Sequence, residues 1–236
     1  MQPVRITLIT VIAISTGFCY ATGCGQNAGG TATVTADAPA SRAPPAAANV
    51  IVPINSARPA QSLPKPVDPM VVVHTTAGDI TLQLFAQSSP RTVENFLRTY
   101  AERGFYEQTI FHHTEPGVML IAGGYTAELQ RKPARAPIYN ESRNSLSNHR
   151  GTLAMIHDAD APHSATSEFF INLGDNSDLD FKVSDDEGVP GYCVFGEVIG
   201  GMEIVDRIAQ LPTVSQGDFQ KIPSPLVTIT SIERLQ

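Results

Sequence analysis

The residues of this chain whose types could do chemistry are few: the adjacent histidines His112 and His113, the glycine pair Gly123 and Gly124, an acidic run from Asp175 to Asp186, and Cys193 inside an apolar run. A metal site needs ligands that converge at set spacings. None of the six histidines stands at an established ligand spacing, and neighbours on a strand should point to opposite faces, so His112 and His113 are not expected to chelate together. The acidic run lacks the glycine and terminal glutamate of an EF-hand and reads as a solvated loop. No Lys-Ser or Lys-Thr follows the glycines, so they form no phosphate cradle. Cys193 lies between Tyr192 and Phe195 with no basic cluster beside it, which makes it a buried small hydrophobe rather than a reactive thiol. No metal and no cofactor is expected.

The elements that must position these residues begin at Met70. Two β-rich runs, 71–74 and 80–85, flank a hairpin turn at Thr76-Ala77-Gly78-Asp79, and Ile80, Leu82 and Leu84 alternate with polar neighbours as in a half-buried strand. A helix follows, with Ser89 as N-cap, Pro90 at its first position, Val93, Phe96, Leu97 and Tyr100 on one face, and Gly104 to close it. A second helix is expected from Met202 to Gln210, stopped by Pro212. Short, turn-bounded apolar runs at 109–112, 117–121, 152–156, 169–173, 192–198 and 227–232 supply the remaining strands. Many short strands with only two helices predict a mainly β protein, a closed barrel with helical caps.

Four blocks carry a family resemblance: FHHTEPGVMLIAGGY at Phe111–Tyr125, PIYNESRNSLSNHRGTLAM at Pro137–Met155, SATSEFFINL at Ser164–Leu173 and YCVFGEVIGGMEIVDRI at Tyr192–Ile208. In order and spacing they resemble the cyclophilins, peptidyl-prolyl cis-trans isomerases, and among these the bacterial exported members. The resemblance implies an eight-stranded antiparallel β-barrel capped by two α-helices over residues 70–236. It also implies an activity on proline-containing polypeptides. Rotation about an X-Pro amide faces a barrier of about 18–20 kcal/mol, although its two end states differ by only about 1 kcal/mol. A catalyst therefore needs an apolar pocket for the proline ring and a donor for the twisted amide, whose nitrogen regains its lone pair.

Carried over residue by residue, the resemblance places Met119, Phe170, Leu179 and Tyr192 in the ring pocket. Val118 replaces a larger phenylalanine, and Ile156 and His157 fall in a substrate-facing loop. His113 stands at the position of the catalytic arginine, Ile121 and Glu168 replace glutamines, and Asp178 replaces an aromatic residue. Arginine offers five donors and a permanent charge, neutral imidazole one donor on a shorter stem. Losing one preorganised donor costs about 3–4 kcal/mol, so a weak isomerase is expected. The alternative is a binding module, a chaperone-like clamp for proline segments without relevant turnover. A carboxylate at Glu168 close to His113 would favour the imidazolium and partly restore the missing cation.

Upstream, Arg5 precedes an uncharged apolar run, and Ala21-Thr22-Gly23-Cys24 resembles a bacterial lipobox. Residues 1–23 read as a signal peptide of the lipoprotein type, with Cys24 as the lipid anchor of an exported, membrane-attached protein facing the periplasm or the cell exterior. Ordinary secretion after cleavage near Ala21 is the alternative. Residues 24–69, rich in Ala and Pro, read as a tether; whether Val50–Ile54 docks on the domain stays open. The net charge of −7 supplies no basic face for a nucleic acid, and a monomer is expected.

Overall fold

The computed structural model describes residues 68–184 and 188–235. The expected signal peptide, the lipid anchor Cys24 and most of the tether, Val50–Ile54 included, lie outside the described residues.

Strands β1 (Met70–Thr75) and β2 (Gly78–Leu84) form the expected hairpin around Thr76-Ala77. They are followed by α1 (Pro90–Glu94), β3 (Thr109–Glu115), β4 (Met119–Thr126), β5 (Thr152–Met155), β6 (Phe169–Asn172), β7 (Val194–Gly200), α2 (Met202–Ala209), β8 (Thr213–Gln216), β9 (Phe219–Pro223) and β10 (Thr228–Arg234). Eight of the strands close into an antiparallel barrel in the order β1-β10-β3-β4-β6-β5-β7-β2, and β8 and β9 pair as a separate hairpin. The predicted barrel with two helices is what the chain forms. The β8–β9 hairpin was not expected, and the apolar runs at 117–121, 192–198 and 227–232 start two, two and one residues before the strands β4, β7 and β10.

The first helix is less regular than its periodicity suggests. Beyond α1 the backbone continues as a π turn (Asn95–Tyr100) and a 3-10 turn (Ala101–Arg103), closed by Gly104 in the left-handed region as expected. Ser89 does not cap it: its hydroxyl donates to the Val194 carbonyl (2.8 Å). The orphan N–H groups of Arg91 and Thr92 donate instead to Glu141 Oε1 (3.3 Å) and Oε2 (2.9 Å), and the Thr92 hydroxyl adds a 2.8 Å bond. A carboxylate distant in sequence thus does the work of a local cap, where its charge also suits the helix N-terminus. The segment buries Phe96 completely among Tyr106, Phe169 and Phe195, with ring centroids 5.2, 5.5 and 5.3 Å away, geometry worth about 0.5–1.5 kcal/mol per pair beyond burial.

Candidate functional site

The site is built where β3 meets β4. Phe111 stands opposite Ala122 and His113 opposite Ile121, so two steps along β3 match one along β4, and His112 is the extra residue of a β-bulge. Phe111 and Ala122 keep their places in the barrel core. Beyond the bulge the outer face is a continuous row: His113 opposite Ile121, Ile121 opposite Phe170, and Phe170 opposite Ala154. On this row Ala154, Phe170 and Val194 form a second apolar cluster outside the barrel, and Met119, Ile121, Ile156, Leu179, Tyr192, Phe85 and Leu146 pack on it half-buried. The structure thereby brings together the expected Met119, Ile121, Ile156, Phe170, Leu179 and Tyr192.

Leu179 and Tyr192 come from loops held in place by hydrogen bonds. Tyr192 N donates to Leu179 O (2.8 Å). The neighbouring Asp180 accepts from the Ser147 hydroxyl and from Asn148 N (2.7 Å) and Nδ2 (2.9 Å). Burial opposes the charge of Asp180, but these donors outweigh it and hold its carboxyl below the usual range. Asp180 is therefore an anchored member of the acidic run, which was expected to be solvated throughout. Asp178 fits that expectation, with its side chain 79% exposed and Lys182 3.5 Å away.

Two expected residues stand apart from the apolar row. Val118 is outside the cluster; its carbonyl accepts from Leu173 N (2.9 Å) and Asn176 Nδ2 (2.8 Å), so the position secures the β4 entry. His157 is buried and does not face a substrate with its polar atoms. Its ring stacks on Tyr192 (4.4 Å, 17°), and Nδ1 and Nε2 lie 2.8 and 3.2 Å from the carbonyls of Asp158 and Gly191. It is a wall behind Tyr192.

The polar half differs more from expectation. Because of the bulge, His112 and His113 share the outer side instead of facing opposite ways: His112 packs edge-on against Tyr125 (4.8 Å) and Phe219 (6.0 Å), while His113 Nδ1 lies 3.0 Å from Gln220 O on the same β9 strand. Glu168 belongs to His112 and not to His113. Its Oε2 is 3.5 Å from His112 Nε2 and its Oε1 accepts from Arg131 Nη2 (3.1 Å). Gly124 makes room for it, since a Cβ there would fall 2.6 Å from the Glu168 carboxyl carbon. Gly123 and Gly124 both lie within β4. Burial works against the charge of Glu168, yet His112 and Arg131 outweigh it and lower its pKa.

His113 is consequently not held as an imidazolium. Burial lowers its pKa and outweighs the bond to Gln220, and Lys221 lowers it further. The Gln220 carbonyl can only accept, which assigns the proton of the neutral ring to Nδ1. Nε2 then carries a lone pair, is buried, and has no partner. The ring's single donor is already committed. Among the described residues no group of His, Cys, Asp and Glu side chains has the geometry to hold a metal ion. Cys193 is buried and its thiol is pushed up by that burial. Gln220, Lys221 and Arg131 were missed by sequence reasoning. The signal for the first two was a glycine turn at Gln216-Gly217-Asp218 between two short runs.

Residues 70–234 match the family model described as "Cyclophilin type peptidyl-prolyl cis-trans isomerase/CLD". The chain is 45% identical over 163 residues to peptidyl-prolyl cis-trans isomerase B of Escherichia coli, an alignment covering 69% of this chain and 98% of that one. It is 42% identical over 164 residues to a peptidyl-prolyl cis-trans isomerase of Acinetobacter baylyi, covering 70% and 84% of the two chains. A crystal structure of a Cryptosporidium parvum cyclophilin type peptidyl-prolyl cis-trans isomerase superposes with a TM-score of 0.55 at 25% identity, over 72% of this chain and 98% of that one. The same Cryptosporidium protein in the presence of the dipeptide Ala-Pro gives a TM-score of 0.54.

Proposed function

The chain belongs to the cyclophilin-type peptidyl-prolyl cis-trans isomerases, and from that membership we propose that it isomerises X-Pro bonds in proline-containing polypeptides more slowly than a member carrying arginine at the position of His113. The observation that carries this reading is the outer row in which His113, Ile121 and Phe170 stand side by side over an apolar cluster. That cluster suits a proline ring, and no nucleophile or cofactor is required to turn an amide. The polar neighbour is what limits the rate. A transition-state donor is worth about 3–4 kcal/mol when preorganised, and the only N–H of neutral His113 is spent on Gln220. The same commitment favours a second reading, a clamp that binds proline segments with little turnover.

We further propose that the protein is exported through residues 1–23 and tethered by a lipid on Cys24, with the domain working as a monomer on exported polypeptides and on no nucleic acid. The leader and the tether composition support this part.

Exchange spectroscopy on a proline peptide separates the two readings. With the domain of residues 70–236, peptide shifts accompanied by accelerated cis-trans exchange are expected, and His113→Arg should raise the rate by about a hundredfold. Peptide shifts without acceleration, with exchange appearing only in His113→Arg, would establish the clamp instead.

A further inference from the structure

The position that holds a permanent cation in the resemblance holds a neutral ring here, yet a cation stands beside it. Lys221 lies on β9, one residue beyond the Gln220 carbonyl that takes the His113 proton. Its Nζ is 2.8 Å from Glu115 Oε1, and its side chain remains 44% exposed. Glu115 is two residues from His113 along β3 and directly opposite Met119, while His113 is directly opposite Ile121. The ammonium is thus bound to the residue paired with one member of the apolar row and adjoins the residue paired with another. An ammonium carries three donors. One is engaged by Glu115, and solvent exposure leaves others open to an incoming group.

The backbone at Lys221 is also unusual. Lys221 has φ 60, the left-handed region that a long side chain adopts at a cost of about 1 kcal/mol or more. Gln108, Leu129 and Ser145 share this region, so the strain alone does not single out Lys221; the contact with Glu115 beside His113 does. Arg131, the other cation near the site, is turned towards Glu168 and His112 instead.

We propose that Lys221 supplies the substrate-facing cation of this site, donating to the nitrogen of the twisted X-Pro amide whose ring occupies the apolar row, with Glu115 a competing acceptor that draws off one of its three donors. The inference rests on the isomerase reading and assigns to a different strand the polar role that His113 does not fill. It makes the β8–β9 hairpin part of the catalytic apparatus, where a separate hairpin beside the barrel would otherwise be support.

The test is peptide exchange and peptide affinity measured by NMR on the full chain in detergent, for the natural sequence and for Lys221→Gln, Lys221→Arg, Glu115→Gln and Arg131→Gln. Lys221→Gln should slow exchange at least about tenfold at unchanged affinity, a smaller loss than that of a fully enclosed donor. Lys221→Arg should retain most of the rate, and Glu115→Gln, which frees the ammonium, should match or exceed the natural rate. Equal losses in Lys221→Gln and Glu115→Gln would mean that the pair only pins the hairpin, and the proposal would fall. It would also fall if Lys221→Gln kept the natural rate, or if Arg131→Gln alone were slow. Should Lys221→Gln not fold, the arginine and Glu115 variants decide alone: loss in both overturns the assignment, and retention in the first with gain in the second supports it. No acceleration by the natural sequence would overturn the isomerase reading and this inference together, whereas failure of the lysine assignment alone leaves that acceleration intact.

Discussion

His113 illustrates how little of a side chain's chemistry is set by its own type. Exposed, it would titrate near pH 6.5 and offer a donor; here burial lowers its pKa and Gln220 takes its proton. Two consequences follow for pH. On acidification the unfolded chain binds the proton first, at the ordinary histidine pKa, so this residue's contribution is fully present above that value. It is lost as the pH falls towards the lower folded value. Melting temperatures at pH 7.5 and pH 5 should therefore differ less in His113→Gln than in the natural protein, and equal differences would mean that the ring is not held neutral. Protonation also gives Nε2 a hydrogen, so exchange should rise on the acid side of the same window. The direction agrees with the sequence expectation, but the ring is neutral where a nearby Glu168 would have favoured the imidazolium, because Glu168 pairs with His112. The residue types and their neighbours in sequence were readable, as was the apolar set of Met119, Ile121, Ile156, Phe170, Leu179 and Tyr192. The partner of Glu168 was not, because one bulge residue turned His112 towards it and no local pattern encodes a bulge.

At the scale of elements, α1 depends on a residue far from it. Glu141 meets the N–H groups of Arg91 and Thr92 and the Thr92 hydroxyl, whereas Ser89 is spent on Val194 and on the Asn144 amide, which donates to its oxygen at 2.7 Å. Glu141→Ala should cost about 1–2 kcal/mol, measurable by denaturant unfolding, and Ser89→Ala should not behave as the loss of a cap. Both strands of the first hairpin, the glycine end of the first helix and the extent of α2 were legible, since each rests on short-range periodicity and turn residues. The β8–β9 hairpin was not: β8 is exposed throughout and β9 buries only Ile222 and Pro223, so the alternation that marks a half-buried strand is missing. Its importance comes from what it covers, which is visible only once β3 is in place.

At the scale of the molecule, the barrel closes on itself, so its eight strands leave no open edge among the described residues. A domain of that kind can work at the end of a tether without adding strands from its neighbours. If Cys24 carries the lipid, Cys24→Ser should move the protein from the membrane fraction to the soluble fraction while leaving peptide exchange unchanged; membrane retention in that variant would point to the apolar leader as the attachment. The bulge at His112 has a consequence beyond the chemistry of this chain. It inserts an outward residue while Phe111 still meets Ala122 inside, so the barrel core does not register what stands at 113. The barrel is in this respect a chassis with exchangeable tooling. A histidine becomes an arginine by a single nucleotide change, and a lineage built on this scaffold can alter how fast it turns its ligands over without having to refold to do so.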